Sequence, residues 1–476
     1  MLPDFSSAVR LVASIGLALL GAQAAAQTAT TEILSDLQEA PPGQAERIER
    51  LESRVSELEA ELARLLAEEK ESAPQAAPEP ASAPDDQVRG TGASDGPAIS
   101  DVKWKGGPEF VSASGDYSIK LRGRLQSDAW LVTNDPDDRN YPSGTEIRAV
   151  RMGVQGQLGP VLSYAAEADF SGNSVTLKSA YVQYQGSPSW ALQAGNLKPH
   201  VSLENKTGLP QNTFMERSLP NIFAISDEVL GLAFISNGRK WSFGAGPFGE
   251  GPGTHIEGNE GYGLAARFTH APLLDGDKVV HLGVSGYHKQ LGSDAGANFR
   301  LRQRPETHLF ETRLLDTSTL PADSSSVFGL EFASAIGAFS LQAEYLRNQV
   351  DHDAPGTVEF DGAYAYLSWF ATGESRPYSG SSGRFGGVAP DNPLGNGGWG
   401  ALEWALRYST VDLNDGLVLG GKEQNITLGA NWYLSEYARL AFNWVHFDVE
   451  DSAATMPFGL ASHKGNAFGV RAQMTW

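Results

Sequence analysis

The chain closes on FGVRAQMTW, Phe468 to Trp476. Phe468, Val470, Ala472, Met474 and Trp476 share one parity, and Gly469, Arg471, Gln473 and Thr475 share the other. Side chains alternate across a strand, so this segment has an apolar face, a polar face and a bare terminal aromatic. One such strand fits a soluble sheet with a wet side equally well. The number and length of similar segments upstream decide between the two.

Period-two alternation starts near residue 116 and continues to the end. In YSIKLRGRLQSDAWL, residues Tyr117, Ile119, Leu121, Gly123, Leu125, Ala129 and Leu131 take one face. Lys120, Arg122, Arg124, Gln126 and Asp128 take the other. That stretch of 15 residues is long beside the ~5–6 of a globular strand, whereas a tilted membrane strand needs ~9–11 in the lipid. Similar segments recur near 146–158, 161–170, 176–185, 189–198, 229–236, 240–248, 261–269 and 278–288. The series continues near 326–335, 338–348, 359–371, 399–411, 423–433, 438–449 and 466–476.

Tight turns (LGPV, GSPS, NGRK, AIGA) alternate with long polar loops, which is the pattern of an outer-membrane barrel. The second face of each strand is too polar to build the core of a sandwich. The sequence therefore predicts an all-β fold: an antiparallel transmembrane β-barrel of about 16 strands within 101–476. Val470, Ala472, Met474 and Trp476 then face lipid, and Arg471 and Gln473 face the lumen. The last aromatic belongs at the membrane interface, and it suits recognition by the outer-membrane assembly machinery.

The rest of the chain supports export. Arg10 precedes the apolar run LVASIGLALL, and Ala24 and Ala26 fit a small-x-small cleavage site, so 1–26 reads as a signal peptide. Within 27–70, Ile48, Leu51, Val55, Leu58, Leu62 and Leu65 keep heptad spacing. So short a coiled coil needs self-association to hold. Residues 71–100, rich in Ala, Pro, Ser and Asp, read as a flexible linker. Segment 27–100 carries 16 acidic and 6 basic residues, about half of the net charge of −21. That balance argues against nucleic acid as a partner. With no cysteine, disulfides and thiolate metal sites are excluded. No apolar run of ~20 residues follows the N-terminus, so a helical membrane protein is excluded too.

Enzyme signatures are missing: the sequence has no HExxH, GxSxG or GxxxxGK[ST]. His446 and His463 read as local hydrogen-bonding residues, and no cofactor or metal is expected. The stronger signal is the sign of the lumen charges. Lys120, Arg122, Arg124, Arg151, Arg267, Arg407, Arg439 and Arg471 all lie on polar faces. Stacked guanidinium groups in a narrow pore replace the water shell of an anion, and Arg suits bidentate contact with phosphate. The alternative is that these arginines pair with lumen carboxylates such as Glu403 and brace the wall.

Four stretches carry a resemblance: GNLKPHVSLENKTGLPQNTFMERSLP (195–220), TGESRPY (372–378), LRYSTVDL (406–413) and GANWYLSEYARLAFNWVHFDV (429–449). Together they make the region 110–476 similar to the phosphate-selective porin O and P family. The resemblance implies a sixteen-stranded barrel in the outer membrane of a Gram-negative bacterium, assembled as a homotrimer. It implies passage of inorganic anions, with phosphate or polyphosphate selected in some members. Family members fold loops into the barrel, which points to Pro199–Glu228 as the constriction and to 373–397 as a periplasmic connection entering the lumen. Lys198 and Arg217 stand at basic positions of the family and are expected to contact the anion. Where members often read RRAR, this chain reads RAVR, keeping Arg148 and Arg151.

Three functions follow. The first is a diffusion channel for small anions, phosphate or pyrophosphate favoured. The second is a weakly selective porin with paired lumen arginines. The third is an envelope tether whose coiled coil contacts the cell wall.

Overall fold

The computed structural model describes residues 99–476 apart from 105, 135–141, 226, 254–258, 293–297, 310–312, 353–355, 396 and 454–461. The expected signal peptide and coiled coil, and the linker up to residue 98, lie outside the described residues. A barrel of 16 antiparallel strands closes on itself. Its first strands are β1 (Tyr117–Asn134), β2 (Gly144–Leu158), β3 (Leu162–Asp169) and β4 (Thr176–Ser187). They are followed by β5 (Trp190–Leu197), β6 (Val229–Gly238), β7 (Trp241–Phe248) and β8 (Tyr262–Asp275). Next come β9 (Lys278–Gln290), β10 (Ser324–Ile336), β11 (Phe339–Asp351) and β12 (Val358–Phe370). The last are β13 (Ala401–Asp415), β14 (Val418–Tyr433), β15 (Ala438–Ser452) and β16 (Ser462–Thr475).

Strand β16 pairs with β1 from Gly465↔Asn134 to Thr475↔Arg124, which removes both sheet edges. The strand edge of β1 below that seam is taken by Pro108–Ser112, itself paired with Ile99–Trp104. Phe468, Val470 and Met474 are 42–50% exposed on the lipid side, while Arg471 is fully buried within the lumen. The alternation of the closing strand thus has the expected sense. The terminal aromatic is also held by the backbone across the seam. Trp476 exchanges two backbone hydrogen bonds of 3.0 Å with Gly123. A Cβ on Gly123 would lie 2.0 Å from the Trp476 ring, so only glycine lets that ring lie flat over the seam.

One connection differs from the predicted pattern. The expected loop between the strands near 399–411 and 423–433 is a two-residue turn at Gly416 and Leu417, because β13 runs on to Asp415 and β14 begins at Val418. The connection of β12 to β13, on the side of the tight turns, is long and folds inward as expected for 373–397. It places Phe385 and Val388 in buried positions and Arg376 against Tyr366.

The lumen is asymmetric. The inward side chains of β1–β7 are mostly half-exposed, whereas those of β8–β16 are mostly buried. Three inward-folded segments cover the second half of the wall: 198–228, 298–323 and 371–400. Val201, Met215, Leu219 and Phe223 of the first, and Leu301, Leu314 and Leu315 of the second, share one apolar core with Val411, Val445, Phe447 and Val449 of the wall. Burying such side chains contributes roughly 1.5–3 kcal/mol each, enough to hold a loop inside a barrel.

Candidate functional site

The first inward segment follows β5 and is tied down by carboxylates. Ser202 caps a one-turn helix, Leu203–Lys206, by accepting from the Asn205 amide. Glu344 of β11 accepts from the backbone N–H of Leu203 at 2.8 Å and of Glu204 at 2.7 Å. Glu204 in turn accepts from the Ser218 hydroxyl at 2.6 Å. Glu216 receives Arg148 at 2.9 Å and Arg471 at 2.6 Å. Burial opposes ionisation of Glu216, yet Arg148 and Arg471 outweigh it and hold its carboxyl well below the usual range.

These anchors consume several of the arginines expected to line the pore. Arg471 pairs with Asp128 at 2.6 Å as well as with Glu216. Arg407 pairs with Glu306 at 2.5 Å and lies over the Phe214 ring at 4.3 Å. Arg267 pairs with Glu331 at 2.7 Å and donates to the Gly383 carbonyl. Arg439 donates to the Asn212 carbonyl at 2.7 Å. All four are at most 3% exposed. They point inward as their parity requires, but the folded-in segments cover them, so they do not line open water. That corrects the expectation that they do. Glu403, proposed as a brace for an arginine, instead accepts from Asn431 and Tyr433.

On the open half the picture is different. Arg122 donates to Gln155 and is bridged to Glu167 at 3.2 Å; Arg151 is bridged to Glu167 and Asp169. Lys120 is half-exposed one step nearer the turn side of β1. Among the described residues, Arg124, Lys198, Arg217 and Arg384 have no carboxylate within salt-bridge distance. Arg217 donates to the carbonyls of Glu204 and Thr207, both at 3.3 Å, and Arg384 to that of Lys206 at 3.2 Å. Carbonyls orient a guanidinium without cancelling its charge.

These groups sit close enough to act on one another. Burial and then the charge of Arg217 pull the Lys198 ammonium down to about 7. Burial and then Arg384 push Lys206 well below the usual lysine range. His200 is lowered as well, by burial and then by Lys206. The residues that sequence reasoning missed are Lys206, Arg384 and the carboxylates Glu204, Glu216 and Glu306. Parity arguments apply to strands, and all five lie in inward-folded segments. The one available signal was the apolar inner parity of Val445, Phe447 and Val449, which has no use in a water-filled lumen.

A model of the family described as phosphate-selective porin O and P matches residues 119–476. The chain belongs to that family. The porin is 33% identical over 389 residues to a protein of Caulobacter vibrioides described as uncharacterized, covering 79% of this chain and 77% of that one. It is 26% identical over 397 residues to Porin O of Pseudomonas aeruginosa, covering 75% of this chain and 88% of the relative. Its barrel is similar to OmpT of Vibrio cholerae, with TM-score 0.50, 12% identity, and coverage of 77% of this chain and all of that one. That last likeness concerns the fold alone. The porin is accordingly an outer-membrane channel of a Gram-negative bacterium.

Proposed function

We propose that this porin is a diffusion channel for small inorganic anions, with phosphate or pyrophosphate favoured over chloride. One observation carries the reading: the open half of the lumen keeps Arg124, Lys198, Arg217 and Arg384 without carboxylate partners, while the covered half has most of its arginines neutralised. An anion entering there exchanges hydration for guanidinium donors whose charge is not cancelled. Segment 198–228 acts as the constriction, and Lys120 and Arg122 extend the positive path along β1. The weakly selective alternative draws on the paired arginines and on a barrel region that stays net negative, about half of −21.

The test is single-channel recording in planar bilayers. Reversal potential across a salt gradient should show anion preference, and millimolar phosphate should reduce chloride current. A preference for potassium would leave the weakly selective porin standing. Arg124→Ala should lower anion-over-cation permeability about two- to fivefold, since an exposed cation is worth a few tenths to ~1 kcal/mol at intermediate dielectric. Arg439→Gln should leave that ratio unchanged, because Arg439 is out of reach of the solute.

Lys198 makes the selectivity depend on pH. Below about 7 the ammonium is protonated and attracts anions; above it the amine is neutral. Its folded value is lower than that of free lysine, so the charge is lost as pH rises through neutrality. Anion preference should fall roughly twofold from pH 6 to 9. The same titration on Lys198→Met should be flat, and a pH-dependent Lys198→Met channel would remove Lys198 from the site.

We also propose a homotrimer, exported through a cleaved signal peptide, with the coiled coil adding to self-association. The number rests on family resemblance. Cross-linking of the full chain should give a trimer, and deletion of 27–98 should leave it intact.

A further inference from the structure

Toward the turn side of the cation cluster, the wall of β1–β4 forms a recess of about 400 Å³. Its character differs from that of the cluster. Gln155, Gln157, Gln183, Ser118, Ser163 and Tyr181 line it, with Lys120 as its one cation. Glu109 lines it as well, across from Lys120 in the strand register. The amides are organised. Gln193 donates to Gln183 at 2.7 Å, and Gln183 donates to Gln185 at 3.0 Å. Gln155 accepts from Arg122 at 2.9 Å, which turns its amide N–H groups away from that guanidinium. Gln193, on β5, does not line the recess but holds the Gln183 amide; within the recess the N–H groups of Gln155 are donors, the Glu109 carboxylate is an acceptor, and the hydroxyls of Ser163 and Tyr181 are both.

A small inorganic anion makes poor use of this lining. Chloride only accepts, hydrogen phosphate has no more than two O–H donors, and the Glu109 carboxylate in the lining repels either. A hydroxyl both donates and accepts, so a polyol satisfies amide oxygens and amide N–H groups together, and the Tyr181 ring offers its C–H faces a flat apolar surface. Along β1, Lys120, Arg122 and Arg124 lead straight from the recess to the unpaired cations. Arg384 lies within electrostatic reach of Tyr181.

We infer that the preferred solute is a phosphorylated polyol, of the sugar phosphate class, with its phosphoryl group on the cations and its hydroxylated body in the amide recess. This deepens the anion-channel reading and rests on it. A site built to hydrogen-bond hydroxyls discriminates strongly against an analogue that lacks them.

The test measures block of chloride current by inorganic phosphate, glucose 6-phosphate, butyl phosphate and glucose, using the full-length porin in planar bilayers. Glucose 6-phosphate should half-block at about a tenfold lower concentration than phosphate or butyl phosphate, and glucose should block weakly. Replacing Gln157 and Gln183 together by leucine should erase that advantage and leave phosphate block unchanged. Equal or weaker block by glucose 6-phosphate, with phosphate still blocking, overturns the polyol inference alone. Absence of block by every anion overturns the anion-channel reading with it. Because the wild-type comparison decides the matter, a double variant that fails to insert does not weaken the test.

Discussion

Replacing Lys198 and Arg217 together by alanine is expected to lower anion-over-cation permeability roughly tenfold and to raise the half-blocking phosphate concentration by a similar factor. Both side chains are half-buried on the inward segment, and neither has a carboxylate partner among the described residues. A narrow passage excludes the water and salt that screen the barrel wall, so each cation counts for more there than Arg122 does beside Glu167. Two such charges at ~0.7 kcal/mol each correspond to about one order of magnitude. Arg217 also holds the carbonyls of Glu204 and Thr207, so its loss alters loop geometry as well as charge. Arg217→Lys separates the two effects. If it restores selectivity, charge is the cause. Should the double alanine channel keep the wild-type reversal potential, the site lies elsewhere.

The largest effect on stability is expected at Arg471. Its guanidinium sits between Asp128 and Glu216, and both Arg471 and Asp128 are entirely buried. Arg471→Met leaves a carboxylate of Asp128 without its partner in the interior, a loss of about 3–5 kcal/mol when one member of a buried pair is removed. Glu216 retains Arg148 at 2.9 Å, so the inward segment stays attached by one anchor instead of two. The barrel should unfold at a clearly lower temperature in the heat-modifiability assay, and open-channel current should become noisier. Adding Asp128→Leu should recover most of the stability, because replacing both partners by apolar groups removes the stranded charge. It should not quieten the current, since Glu216 still lacks one partner. Unfolding of Arg471→Met at the wild-type temperature would mean that the pair contributes nothing.

Both predictions concern groups whose partners are remote in the chain. The distance in sequence explains what could be read in advance. Strand positions and facing were legible because side-chain alternation is a local property: Val470 and Arg471 point opposite ways whatever else the chain does. The long strands then required lipid on one side, and closure followed from their number. The N-terminal Gly123 and C-terminal Trp476 meet only because the barrel closes, yet the closing strand itself announced its lipid face.

Parity says which face a side chain takes, not what else arrives at that face. Lys120, Arg124 and Arg471 all read as lumen cations, and nothing near Arg471 in the sequence shows that Asp128, 343 residues away, would claim it. Arg407 is covered by Glu306 from an inward segment 101 residues earlier. Lys198 and Arg217 came from family resemblance, since irregular backbone has no period to read. A lipid-facing barrel of this strand number, with cations on its inner face, follows from the order of residues alone. Tertiary structure alone decided which cations remain open to a solute, because charge is cancelled by contacts in space, and three loops bring those contacts from distant parts of the chain to one half of the wall.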